Sequence, residues 1–294
     1  VHMFLLRLVF FILILLPWSG SIWAKVKQFR VCGLSSVDQT ALEEKVAFLF
    51  GGHDRAPAAV QLTRLGDNGE ILPDAMGHCG GVLVAPGWVL TARHCVDGKT
   101  WSQLTVRFGA SDLSDPDFGA ARGGVLAICP SEHPSSSIAS DVALLRLNRP
   151  VHDAQPTASL GDPGGMDAIE MALLASWSAA LEGQTSNPLR LTPVTLGETM
   201  PSGHLIGRRI LSHEPPPCGG ESGSPLFVET KAGVEVIGIL SAVQGRHAAK
   251  AAGEDPCLSD KVSPIFTSLA DWTDWVAHTI DVCTREPKAC KREE

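Results

Sequence analysis

Cys218-Gly219-Gly220-Glu221-Ser222-Gly223-Ser224-Pro225-Leu226 sets a serine between glycines in the second half of a 294-residue chain. Upstream lie Thr91-Ala92-Arg93-His94-Cys95 and Asp141-Val142-Ala143-Leu144-Leu145. A serine hydroxyl is a poor nucleophile near neutral pH. It needs a base to take its proton, and the base needs a carboxylate to hold its tautomer and steady its positive charge. His94, Asp141 and Ser222 supply those three groups in that chain order. Each has an ordinary reading alone: a structural histidine beside a cystine, a turn aspartate opening a strand, a serine in a Gly-rich turn. The turn reading of Ser222 explains neither the preceding cysteine nor the apolar Ser-Pro-Leu-Phe that follows. Asp153 and Asp162, the other acids considered for the orienting role, sit in Pro/Gly-rich loop sequence.

These three contexts, in this order and with matching cysteines, resemble the trypsin/chymotrypsin family of serine endopeptidases, in a secreted, bacterial-type form. The Gly-x-Ser-x-Gly elbow of α/β-hydrolases is not met, because position 224 is serine and no helical pattern follows. The resemblance covers about residues 49–283. It implies an all-β fold of two six-stranded antiparallel β-barrels, approximately 49–155 and 156–267, followed by a C-terminal helix. It also implies that Ser222 attacks the carbonyl, that His94 is general base and acid, and that Asp141 orients His94. The backbone N–H groups of Gly220 and Ser222 would form the oxyanion hole. Cys79 would pair with Cys95, and Cys218 with Cys257 beside the specificity pocket. That pocket would have Pro216 at its floor and Ser241, Val243 and Pro264 along its walls. An uncharged floor disfavours an Arg or Lys side chain, whose buried ammonium or guanidinium would lack a partner. Cleavage after small or modest apolar residues is therefore expected. A shifted register with Gly245 at the wall would admit Phe or Leu, and Arg246 and Lys261 keep an acidic preference open.

Three departures from the family pattern stand out. Glu221 occupies the place where proteolytically activated members use an aspartate to receive a new N-terminal ammonium. Leu49-Phe50-Gly51-Gly52 resembles the start of such mature enzymes, so a latent precursor cut between Phe48 and Leu49 is expected. Phe48 is no site for a trypsin-like activator, so either another protease processes the chain or the enzyme does without the switch. Arg93, before the histidine, adds a cation that would lower the pKa of His94.

The N-terminal sequence and the composition point to export. Arg7, the apolar run Leu8–Leu16 and small residues up to Ala24 read as a signal peptide, residues 1–24. The run is shorter than the roughly 20 residues of a spanning helix. Residues 25–48 then read as a pro-segment and 49–294 as the protease domain. Eight cysteines behind a signal fit disulfides in a secreted or periplasmic protein. Cys32, Cys129, Cys283 and Cys290 remain after the two family bridges and allow three pairings. Helix packing in the family favours Cys129–Cys283, leaving Cys32–Cys290. The net charge of −8 argues against nucleic acid or an anionic membrane as partner. The expected partners are a protein or peptide substrate and an activating protease, with no stable membrane insertion after signal removal and no cofactor. Asp112, Asp115 and Asp117 fall where some relatives bind calcium, but ordinary loop composition explains them, and no metal is assigned. Two other readings stay open: a non-catalytic binding protein on a protease fold, and a serine esterase.

Short apolar segments between turn signals predict strands. They are expected at 59–62, 81–85, 88–91, 104–108, 125–129 and 142–147, and again at 170–175, 189–196, 204–210, 225–228 and 234–240. Asp67-Asn68-Gly69 predicts a hairpin turn. Leu269, Trp272, Val276 and Ile280 recur at helical spacing, with Ser268 as N-cap.

Overall fold

The computed structural model describes residues 59–64, 79–97, 104–108, 112, 120–130, 137–151, 157–161, 171–177, 189–200, 204–209, 216–230 and 233–290. The signal and pro-segment, Leu49, the turn at 67–69, Cys32, Asp115 and Asp117 lie outside them.

Six strands close the first barrel: β1 (Ala59–Arg64), β2 (Cys79–Ala85), β3 (Trp88–Thr91), β4 (Leu104–Phe108), β5 (Ala120–Ile128) and β6 (Ala143–Leu147). Their order is β1-β2-β3-β6-β5-β4, and β4 pairs back onto β1. The second barrel contains β8 (Ala172–Ser176), β9 (Arg190–Met200), β10 (His204–Arg209), β11 (Pro225–Thr230), β12 (Gly233–Gln244) and β13 (Ser263–Ser268). Pairing of β11 with β12 closes it, and a two-residue strand β7 (Ser159–Leu160) joins β12 in parallel. All other pairings are antiparallel, so the fold is the expected pair of antiparallel barrels. Among the described residues, three α-helices follow the strands' ends: α1 (Arg93–Val96), α2 (Arg246–Ala251) and the C-terminal α3 (Thr273–Arg285).

Strands of the second barrel are apolar on both faces, and the reason is positional. Ala172 and Leu174 point into that barrel with Leu226, Val228 and Phe266. Leu173, Ala175 and Phe227, one residue out of phase, join the other core cluster with the side chains of the first barrel. Successive strand residues face opposite sides, so a strand lying between two cores reads as an unbroken apolar run instead of an alternation.

Several local expectations need correction. Helix α3 begins at Thr273, and its N-cap is Trp272, which makes no side-chain capping bond. Ser268 Oγ instead accepts the N–H of Ala270 at 3.3 Å in the turn before the helix. Residues Arg246–Ala251, assigned no element from sequence, form helix α2, entered through Gly245 at φ 90°. Its Ala-rich sequence has high helix propensity. Strand β5 starts at Ala120, earlier than expected, because pairing with Thr105–Phe108 recruits the weakly β-forming Ala-Ala-Arg-Gly-Gly. Pro264 hid β13, since proline argues against a paired strand. It is tolerated near the strand's start, beyond Ile265, where the β10 ladder ends.

The expected Cys129–Cys283 bridge does not form. Cys283, in α3, pairs with Cys290 just beyond the helix, and Cys129 is a free thiol. Cys32–Cys290 is excluded with it. The local partner is seven residues away, so closing that loop orders far less chain than a bridge across the fold.

Candidate active site

Asp141 follows a 3-10 turn, Ile138–Ser140, that is pinned from the second barrel's side. Thr267 Oγ1 donates to the carbonyl of Ile138 at 2.7 Å, and Trp272 Nε1 donates to that of Ala139 at 3.0 Å. The carboxylate is buried and fully engaged. Its Oδ1 accepts the backbone N–H of His94 at 2.9 Å, while Oδ2 lies 2.7 Å from His94 Nδ1. Ser241 Oγ donates to the same Oδ2 at 2.5 Å. Burial alone would raise the pKa of Asp141. The hydrogen bonds and charge of His94, with the bond from Ser241, outweigh it and hold the carboxyl below its ordinary value. An ionised carboxylate only accepts, so Nδ1 carries the proton and Nε2 is left as an acceptor.

His94 sits in α1, whose next residue forms the Cys79–Cys95 bridge to β2. Its side chain remains 47% exposed, open to an incoming substrate. Arg93 does not direct its charge into the site. Its guanidinium donates to the carbonyl of Pro130 at 3.2 Å and pairs with Asp97 at 3.7 Å.

The loop carrying Ser222 is clamped against the first barrel. Gly80 N–H donates to Ser222 O at 2.6 Å, and the sulfur of Cys95 lies 3.7 Å from that oxygen. Gly223 has φ +84°, and a Cβ there would strike Gly80 O and Thr91 Oγ1. Only glycine permits this approach. Gly220 is also left-handed, at φ +86°. The N–H groups of Gly220 and Ser222 have no acceptor among the described residues. No hydrogen bond joins Ser222 Oγ to His94 Nε2 among the described residues; ligand-free sites often tighten that contact only with substrate.

Of the predicted pocket residues, Pro216, Ser241 and Pro264 are buried and Val243 is half-buried. Val243 stands directly opposite Pro264 in the β12–β13 ladder. The contact seen for Ser241 is with the acid, since its hydroxyl reaches Asp141. The Cys218–Cys257 bridge forms as expected, and Arg246 Nη2 lies 3.6 Å from Cys218 Sγ. Lys261 is paired with Glu254. Thr267, Trp272, Ser176 and Arg190 were not legible as site residues, because only the folded chain brings them to Asp141 and Glu221. Cys79, His94 and Cys95 cluster closely enough to suggest a metal, but both sulfurs are spent in the bridge.

Two antiparallel barrels, with a His–Asp pair beside a glycine-flanked serine, define a chymotrypsin-like serine protease. A sequence profile described as Trypsin matches residues 52–272, so the chain belongs to the trypsin family. It is a serine endopeptidase. Similar relatives include Snake venom serine proteinase 11 of Crotalus adamanteus, 26% identical over 217 residues, covering 69% of this chain and 77% of that protein. Kallikrein-2 of Homo sapiens is 26% identical over 234 residues, covering 69% and 80%. Phenoloxidase-activating enzyme 1 of Spodoptera litura is 28% identical over 236 residues, covering 69% and 59%.

Proposed function

We propose that the chain is an exported endopeptidase that cleaves protein or peptide substrates through an acyl-enzyme on Ser222. His94 takes the hydroxyl proton at Nε2 as Oγ attacks the scissile carbonyl. Asp141 keeps the imidazole in the right tautomer and stabilises the cation that forms. The N–H groups of Gly220 and Ser222 receive the oxyanion. His94 then gives its proton to the leaving amine, and a water it activates releases the acyl group. The double link between His94 and Asp141 carries this reading, because it aims Nε2 away from the carboxylate.

Export is supported by the apolar N-terminal run and by the three disulfides among the described residues. In this reading residues 1–24 are the signal, 25–48 are removed, and the mature protease starts at Leu49. A fluorophosphonate probe tests the mechanism. It should label the wild type on Ser222 and leave Ser222→Ala unlabelled. Folded wild type starting at Leu49 that stays unlabelled would reject the acyl-enzyme.

A further inference from the structure

We propose that Arg190 is a positioning residue for the oxyanion hole, an internal cation that holds Glu221 in place of a freed N-terminal ammonium. The proposal rests on the acyl-enzyme reading of Ser222 above. Glu221 is 0% exposed, and both of its carboxylate oxygens are occupied. Oε1 accepts from Ser176 Oγ at 2.7 Å and from Arg190 Nη1 at 3.3 Å. Oε2 accepts the backbone N–H of Cys218 at 2.6 Å. Ser176 and Arg190 are direct cross-strand partners on β8 and β9, so the sheet register delivers both donors to one point. The methylene that glutamate has beyond aspartate gives the carboxylate added reach towards them.

A buried carboxylate needs a cation and a full set of hydrogen bonds. Here the chain supplies them from β8, β9 and the loop at Cys218. The consequence lies one residue away on each side. Glu221 sits between Gly220 and Ser222, whose N–H groups face no described acceptor, and Ser222 O is tied to Gly80. The groups that engage the carboxylate, Ser176, Arg190 and the N–H of Cys218, all belong to the body of the protease domain. The cut that frees Leu49 would then remove the N-terminal segment without being the electrostatic switch that builds the hole.

The two cations differ in how they titrate. An α-ammonium ordinarily loses its proton near pH 8, and a guanidinium only above about pH 12. Around the carboxylate, β8 contributes Ser176, β9 contributes Arg190, and the Cys218–Ser222 loop contributes a backbone N–H and Glu221 itself. Among the described residues, Arg190 and Glu221 are the charged members of this set.

The experiment measures kcat and KM from pH 7 to 10.5 on the full chain and on protein starting at Leu49. It uses the wild type, Arg190→Lys and Arg190→Gln, with phosphonate labelling as a second readout. The wild type should keep its activity across the alkaline range in both forms. Arg190→Gln should lose about 10²–10³-fold in kcat, the scale of losing an oxyanion donor, with a smaller change in KM. Arg190→Lys should restore most activity at pH 7 but lose it near the ordinary lysine pKa of about 10.4. An alkaline loss in the wild type between pH 8 and 9.5, confined to protein starting at Leu49, would overturn the proposal without any variant. So would Arg190→Gln with wild-type kcat, or with raised activity as expected of a latch. A folded wild type that never labels would remove the acyl-enzyme reading and this proposal with it; a labelled wild type confines any failure to Arg190.

Discussion

His94 and Asp141 are joined twice, once through the backbone N–H of His94 at 2.9 Å and once through its ring Nδ1 at 2.7 Å. The backbone link fixes where the α1 turn sits relative to the carboxylate. The ring link fixes which nitrogen is left for Ser222. A histidine held by its ring alone would keep its tautomer but could shift with its loop.

Ser222→Ala and His94→Ala should each lower kcat on a peptide substrate by about 10⁴–10⁶-fold, because triad members act as a unit. Neither side chain has a core-filling role, as Ser222 is half-buried and His94 exposed. Thermal unfolding of both variants should stay close to the wild type. Substantial peptide turnover by well-folded Ser222→Ala would end the mechanism.

Asp141→Asn should cost about 10⁴-fold in kcat by favouring the wrong histidine tautomer. Ser241→Ala should cost less, on the order of tenfold, since it removes one of three donors to the carboxylate. The pKa of Asp141 is depressed in the folded state. Its contribution to stability is therefore fully present above the unfolded value of about 3.9 and fades as pH falls through the folded value. Urea unfolding between pH 2 and 7 should show this acid loss in the wild type and a shallower one in Asp141→Asn. Equal slopes for the two proteins would contradict the assignment.

The bridges should contribute according to the loops they close. Cys79–Cys95 spans 16 residues and is worth about 3 kcal/mol by loop entropy. Replacing both cysteines with serine should lower Tm by roughly 6–12 °C and loosen the His94 turn. Cys283–Cys290 spans 7 residues and is worth about 2 kcal/mol on the same relation. Burial pushes the Cys129 thiol up, opposed by Arg93 and assisted by Asp97 and Asp141. It should alkylate slowly at pH 7 until the protein unfolds. Non-reducing peptide maps that link Cys129 to Cys283 would refute this pairing.

Sequence made the chemistry legible wherever it depends on short, contiguous patterns. The glycines around Ser222, the cysteine after His94 and the aspartate just ahead of β6 all announce themselves locally. Apolar runs likewise exposed most strands, because burial on two faces leaves no room for polar residues. What stayed hidden depends on register. Ser241 carries no sign that it reaches Asp141, 100 residues away. Arg190 looks like one surface charge among many until β8 sets it beside Ser176 and Glu221. Pro264 concealed a strand because the rule against proline assumes a ladder on both sides. The cysteine assignment failed for a related reason, since a helix's next turn offered Cys283 a nearer partner than the inter-barrel segment.

Cleavage should be slow after Arg or Lys and fastest after small apolar residues. Pro216, at the expected pocket floor, is buried and offers no charge to a long cationic side chain. Desolvating such a cation without a partner costs several kcal/mol, far more than its methylenes recover. The expected wall residues Val243 and Pro264 face each other across the β12–β13 ladder. Their opposition supports the register that makes the pocket shallow, over the alternative that puts Gly245 at the wall. Gly245 instead turns the chain into α2, and a Cβ there would strike the Lys261 carbonyl. The acidic alternative is weakened by half, because Lys261 is spent on Glu254. Arg246, the other of the two cations, lies against Cys218 Sγ. It should give glutamate substrates a rate above those of Arg and Lys but below Ala and Val, and Arg246→Ala should erase that advantage. The assay compares kcat/KM for peptides with Ala, Val, Leu, Phe, Glu, Lys or Arg before the scissile bond. A maximum at Arg or Lys would defeat the Pro216 argument, and a maximum at Phe would show that Val243 and Pro264 do not close the pocket.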